Sequence, residues 1–191
     1  PSDCESQPKD SIDIATQEPS DNKVLYACSH EFARRFGNEF CVFILYKCSF
    51  KSIESLNENG GAIYITNKGE GVKGNTTINN CKFENCKAKN GGAIYIKTKQ
   101  YIRFYSITNC LFQNNQAIAS SSRVLSPDAN GNGGAIYFEA AFGSILNCEF
   151  IDNVGTKGGC IHYNDNSQGI HEKQDFTIEH NQFVRKSSDS N

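Results

Sequence analysis

The side chains best suited to chemistry recur in this chain in a pattern. Cysteine stands at Cys48, Cys81, Cys110 and Cys148, each time two residues before a phenylalanine, and Asn181 takes its place in a fifth copy of the phrase. A second phrase carries the aromatic series Tyr64, Tyr95, Tyr137 and His162. Rings repeated on one exposed surface could stack on sugars or form an apolar patch for a protein; the plainer alternative is that they cover their own sheet or pack under loops. For the four cysteines the reading is a file of core thiols, because disulfides between directly stacked residues of parallel strands have awkward geometry. Cys4, Cys28 and Cys41, outside the regular phrase, are the better candidates for a bridge, and Cys86 is expected at a turn. His30, His162, His171 and His180 show no recognisable ligand spacing, so neither a metal nor another cofactor is expected. Cys160 and His162 would share one face of a strand; solvated side chains or contacts with a loop are the simpler account of that pair. Asn75 opens the sequon "NTT", and its Gly-rich surroundings "KGEGVKGNTT" would expose it to glycosylation.

What must position these residues is a repeat. "NGGAIYITN" at 59 to 67 returns as "NGGAIYIKT" from Asn90, "NGGAIYFEA" from Asn132 and "KGGCIHYND" from Lys157. Between these copies run "LYKCSF", "INNCKF", "ITNCLF", "ILNCEF" and "IEHNQF", ending at Phe50, Phe83, Phe112, Phe150 and Phe183. The Gly-Gly pairs begin at 60, 91, 133 and 158, and the longest interval contains the insertion "AIASSSRVLSPDANGN". Without such loops the unit is about 25 residues, the length of one turn of a parallel β-helix. Equivalent strands of successive coils then lie about 4.8 Å apart, like residue above like residue, and the repeated spelling follows from register.

Alternation within "GGAIYI" puts Ile63 and Ile65 inward with their counterparts, and Ala62 and Tyr64 outward with theirs. In "IxNCxF" the Ile and the Cys are three apart, so a bend must intervene. Asn80, Asn109 and Asn147 precede the cysteine in three coils; Asn tolerates the left-handed conformation, and its amide could bond its counterpart one coil away, so an asparagine ladder is expected inside the bend. The paired glycines mark a crowded corner.

The remaining composition fits this frame. The chain has 191 residues, nine Cys, no Met and no Trp. Its formal charge is -2, with no dense basic stretch for nucleic acid or anionic lipid. No apolar run approaches the ~18 residues of a membrane span, and no membrane insertion of this segment is expected.

The two alternating phrases resemble the GGA(I/L/V) and FxxN repeats of the polymorphic membrane protein family, β-helical surface adhesins of chlamydiae with relatives among protist surface proteins. GGAI occurs three times with GGCI as a fourth, and FxxN holds in "FQNN" (112 to 115) and "FIDN" (150 to 153) but not in "FENC" or "FKSI". The resemblance covers residues 48 to 183. It implies a right-handed β-helix of the pectin-lyase-like kind and a surface adhesion role.

The expected architecture is therefore all-β: a single-stranded, right-handed parallel β-helix of about five coils over 48–183. A polar leader or linker occupies 1–23, an N-terminal cap and first strand, with a short helix at "SHEFARRF", lie in 24–47, and 184–191 form a polar tail. The function expected is non-catalytic, a surface or secreted adhesion or structural module that binds a protein or glycan, with a possible end-to-end contact at the bare C-terminal coil. Two alternatives stand beside it. One is a carbohydrate-active enzyme of the pectin-lyase class, whose NTD, DD, HG and RIK motifs do not occur here. The other is an intracellular structural protein, for which reduced thiols would be natural.

Overall fold

The fold was analysed in a computed structural model, which describes residues 10–14, 23–29, 40–67, 73–98, 103–118, 131–139, 142–164 and 176–186. The described residues form a parallel β-helix. Its first coil contains β3 (Phe40–Tyr46), β4 (Ser49–Lys51), β5 (Glu54–Ser55) and β6 (Ile63–Asn67). The second repeats this with β7 (Lys73–Asn79), β8 (Lys82–Glu84), β9 (Lys87–Ala88) and β10 (Ile94–Thr98). The third has β11 (Arg103–Thr108), β12 (Leu111–Gln113), β13 (Gln116–Ala117) and β14 (Ile136–Glu139). The fourth has β15 (Phe142–Leu146), β16 (Glu149–Ile151) and β17 (Ile161–Asn164), and the fifth begins with β18 (Phe176–Glu179) and β19 (Gln182–Val184).

Stacking these strands gives four sheets. Sheet A contains β6, β10, β14 and β17; sheet B contains β3, β7, β11, β15 and β18; sheet C contains β4, β8, β12, β16 and β19; sheet D contains β5, β9 and β13. The register is the one the repeat demands: Phe83 pairs with Phe50 and Phe112, and Ile94 with Ile63 and Ile136.

Two antiparallel strands flank the first coil. β1 (Asp10–Ile14), within the stretch read as a leader, pairs with β6, and β2 (Lys23–Ser29) pairs with β3. Antiparallel strands of this kind close an edge that would otherwise offer free backbone groups. Apart from Ser29, the helix expected at 29–36 lies outside the described residues.

One backbone device makes the corners. Lys47, Ser52, Asn80, Asn85, Asn109, Asn114, Asn147, Asp152 and His180 all have φ between 51° and 55°. A single left-handed residue reverses the alternation, so the next side chain also turns inward. The residues that follow are Cys48, Ile53, Cys81, Cys86, Cys110, Asn115, Cys148, Asn153 and Asn181. This resolves the three-residue step between Ile and Cys: Ile78 and Cys81 are both buried because Asn80 stands between them.

The Gly-Gly corner works differently. The first glycine of each pair has positive φ, 59° at Gly91, and in the first three pairs the second lies against its counterpart one coil on. A Cβ on Gly92 would stand 2.1 Å from the Gly134 carbonyl oxygen, so only glycine lets the coils approach.

The core is filled by columns: Leu45, Ile78, Ile107 and Ile145; Ile63, Ile94 and Ile136; Phe50, Phe83, Phe112 and Phe150, all at most 3% exposed. Where one column swells, another shrinks. Phe138 takes the place of Ile65 and Ile96, and its ring meets Tyr105 and Phe176 edge-on at 6.1 and 4.8 Å. Gly143 stands between Tyr105 and Phe176 in register and leaves that ring the room. The last coil ends this order: Ile178 is 43% exposed and Phe183 55%.

Candidate functional site

The aromatic series on sheet A is a continuous stack. Tyr64 and Tyr95 have ring centroids 5.4 Å apart, Tyr95 and Tyr137 4.9 Å, and Tyr137 and His162 5.1 Å, all near parallel. The parallel register holds the Cβ atoms one coil apart, and rings on equal rotamers then meet face to face. The expected exposed column is corrected at its centre: Tyr95 is 6% and Tyr137 8% exposed. Each of these two rings has both faces taken by its neighbours, so neither face can receive a sugar. Tyr64 and His162, half-buried at the two ends, have one face occupied within the stack.

The electrostatics of this face follow from its burial. Burial first, then the neighbouring Tyr137, Glu139 and Tyr64, raise the Tyr95 hydroxyl well above the usual tyrosine range. Tyr137 donates to Glu139 Oε2 at 3.1 Å, and Lys97 Nζ stands 2.7 Å from Oε1 of the same carboxylate. Burial, followed by Lys157, lowers the His162 imidazole. Cys160 is half-buried, its thiol raised by burial.

The four repeated cysteines form a buried file at the first bend. Cys81 N–H donates to Cys110 Sγ, and Cys110 N–H to Cys148 Sγ, each at 3.4 Å. Hydrogen bonding to Cys148 and Cys81, then burial, holds the central Cys110 thiol high, while its hydrogen bonds lower Cys81 and Cys148. Asn181 ends the file by mimicry: its Oδ1 accepts from Cys148 N–H at 2.8 Å and its Nδ2 donates to the Ile145 carbonyl at 2.8 Å. The phenylalanines beside it stack at 4.9 to 5.0 Å from Phe50 through Phe183.

The asparagine ladder requires a second correction. Asn80, Asn109 and Asn147 are the left-handed residues themselves and point to solvent. The interior ladder lies at the second bend, on the asparagines of FxxN. Asn115 Nδ2 donates to Asn153 Oδ1 at 2.9 Å and to the Phe83 carbonyl at 3.0 Å, and Asn153 Nδ2 donates to the Phe112 carbonyl at 2.8 Å. Cys86 belongs to this column. It is fully buried rather than on an outward turn, because Asn85 turns it inward; its N–H donates to Asn115 Oδ1 at 2.9 Å, and burial pushes its thiol up to about 11. A further amide contact joins Asn90 Nδ2 to Asn59 Oδ1 at 2.9 Å before the Gly-Gly corner.

Of the other expected residues, Asn75 is exposed on the outer face of β7. Cys28 and Cys41 stand opposite each other in the β2–β3 register. Cys4, His30 and His171 lie outside the described residues. No helix among the described residues is long and apolar enough to cross a membrane.

These observations define the class: a repeat protein whose recurrent side chains are stacked from coil to coil. One stretch is also similar to a known family, since residues 109–139 match the Chlamydia polymorphic membrane protein (Chlamydia_PMP) repeat. The match runs from the Asn109 bend through Cys110, Phe112 and Asn115 to the strand after the Gly-Gly corner. No curated protein and no solved structure matches the chain significantly.

Proposed function

We propose that the chain is a non-catalytic module of a cell-surface or secreted protein, presenting the outer faces of its sheets and the loops between coils to a protein or glycan. The observation that carries this reading is where repetition stops. Thiols, inner amides, phenylalanines and tyrosines are committed to the coils above and below, and the asparagines of the first bend to the turn of the backbone, whereas the other outward positions change from coil to coil. One outward column of sheet C reads Lys51, Glu84, Gln113, Ile151 and Val184. A solenoid held by its interior can vary its exterior without losing its fold, and such extended surfaces are what these architectures use for binding. The similarity to a repeat of chlamydial surface proteins supports the location.

The test is binding of the purified chain to glycan arrays and to intact cells. Substituting Lys51, Glu84 and Gln113 together by alanine should weaken binding while leaving the unfolding curve in place. Absence of binding, or release of unsaturated uronate products from pectic polysaccharide, would overturn the proposal. A second part of the proposal is an end-to-end contact with a second copy at β17, β18 and β19, where Tyr163, Ile178 and Phe183 are exposed although their register partners Phe138, Ile145 and Phe150 are buried. Phe183→Lys should then abolish any rise of sedimentation coefficient with concentration; a wild-type chain without such a rise refutes the contact.

The alternative is an intracellular structural protein, in which the thiols Cys81, Cys86, Cys110, Cys148 and Cys160, present without disulfides, would be natural. Mass spectrometry before and after alkylation separates the two. In a secreted protein Cys28 and Cys41 are expected to be linked, in an intracellular one alkylated.

A further inference from the structure

We propose that Asn75 carries an N-linked glycan whose first sugar packs on the ring of Phe104. The proposal rests on the surface or secreted reading, since the glycan is added in a secretory compartment. The structure supplies what the sequon alone lacks. Thr76 is 1% exposed and faces the core, so alternation along β7 places Asn75 and Thr77, the amide and the hydroxyl of the sequon, together on the outer face of sheet B. Asn75 is exposed, and its register partner in the next coil is Phe104.

Phe104 is 39% exposed on the outer face, with Ser106 and Thr108 beyond it on its own strand and Thr77 and Asn79 on the strand before. Phe142, its partner on the other side, meets it edge-on with centroids 5.9 Å apart. On the side of β7 the neighbour is the short amide of Asn75, which cannot cover a phenyl ring. A pyranose attached to Asn75 Nδ2 would lie over that uncovered side, one strand spacing of about 4.8 Å away, and its C–H face is the apolar surface such a ring accepts.

The transfer balances with one co-reactant, a lipid-linked diphospho-oligosaccharide. A bond forms between Asn75 Nδ2 and the anomeric carbon, the bond from that carbon to the phosphate oxygen breaks, the amide nitrogen gives up one proton, and the lipid diphosphate leaves.

The experiment secretes the full chain from a eukaryotic cell behind a heterologous signal, so that exposure to the transferase does not depend on where the natural protein resides. Occupancy is read as a mobility shift removed by peptide-N-glycosidase. The shift is expected in the wild type and in Thr76→Val, which keeps the sequon, and its loss is expected in Asn75→Gln and Thr77→Ala. Removal of the glycan should lower the melting temperature of the wild type and leave that of Phe104→Ala unchanged. A secreted, folded chain without the shift overturns the proposal while leaving the binding function open. A glycan whose removal lowers the melting temperature equally in both backgrounds also overturns it, because the ring then plays no part.

Discussion

Asn115 offers the sharpest test of how the coils are joined. It is fully buried, and its amide is fully used: Oδ1 accepts from Cys86 N–H, and Nδ2 donates to the Phe83 carbonyl and to Asn153 Oδ1. In Asn115→Ala the Cys86 N–H and the Phe83 carbonyl lose these partners in the core, whereas Asn153 Oδ1 keeps the Asn115 N–H at 3.0 Å. A buried group left without a partner costs about 1–3 kcal/mol; the Phe83 carbonyl keeps the strand hydrogen bond that its register with β12 gives it, so the Cys86 N–H sets the loss at about 1–3 kcal/mol. A water entering the polar gap would hold the loss to the lower part of that range. Asn115→Cys should cost less, about 1 kcal/mol, because a thiol already serves this column: Cys86 Sγ reaches the Phe50 carbonyl at 3.9 Å. Asn115→Asp should cost most at neutral pH, with two acceptors facing a carboxylate. A proton would relieve that conflict, so the folded-state pKa is raised. The variant is therefore least destabilised below the unfolded value of about 3.9 and loses stability as pH rises through the folded one. Urea unfolding followed by tyrosine fluorescence and by far-UV circular dichroism measures these differences. Both probes are needed, because solenoid coils can unfold separately. The adjacent Asn114, left-handed at φ 55°, is the control: Asn114→Gly keeps that conformation accessible and should shift stability by only a few tenths of a kcal/mol. If Asn115→Ala fell within about 0.5 kcal/mol of wild type, the ladder would not be what joins these coils.

Four further outcomes follow from the same geometry. Phe112→Ala, with stacked rings on both sides, should lose about 3–5 kcal/mol in urea unfolding, whereas Phe183→Ala, already half exposed, should lose about 1 kcal/mol. Thr76→Val should raise the urea midpoint by about 1–2 kcal/mol equivalent, since Thr76 Oγ1 is buried without a hydrogen-bond partner. Gly92→Ala should yield little soluble folded protein, because its Cβ would also meet the Gln116 backbone at 2.7 Å and backbone cannot step aside. Native Cys86 should alkylate at least about a hundredfold more slowly than in urea at pH 8, its pKa of about 11 leaving little thiolate; stability tied to this thiol is intact below the unfolded value near 9 and falls as pH rises toward 11.

Much of this fold was legible because parallel stacking copies chemistry from coil to coil. The Phe, Ile and Cys columns, the coil register and the glycine corner all leave a repeated letter at a fixed place. What stayed hidden is what repetition does not encode. Asn109 and Asn115 are the same residue type at successive bends, yet one bends the backbone and the other fills the interior; only the left-handed φ of Asn114 decides which way Asn115 turns. The tyrosines alternate as outward residues should, but the alternation does not show that rings one coil apart bury one another. β1 lies in a stretch without periodicity because an antiparallel strand that closes an edge has no counterpart in the next coil.

The left-handed bends also bear on how such a molecule could change size. A segment copied from one bend residue to the position before its equivalent, such as residues 80–108, would insert one complete turn. Cys81 and every other residue of the segment would then sit on a duplicate of itself, Asn109 would follow as before, and the core columns would continue. The molecule would grow by about 4.8 Å per tandem duplication. Length is thus a quantity that recombination between neighbouring stretches of the gene can adjust in whole steps, with no new core to invent.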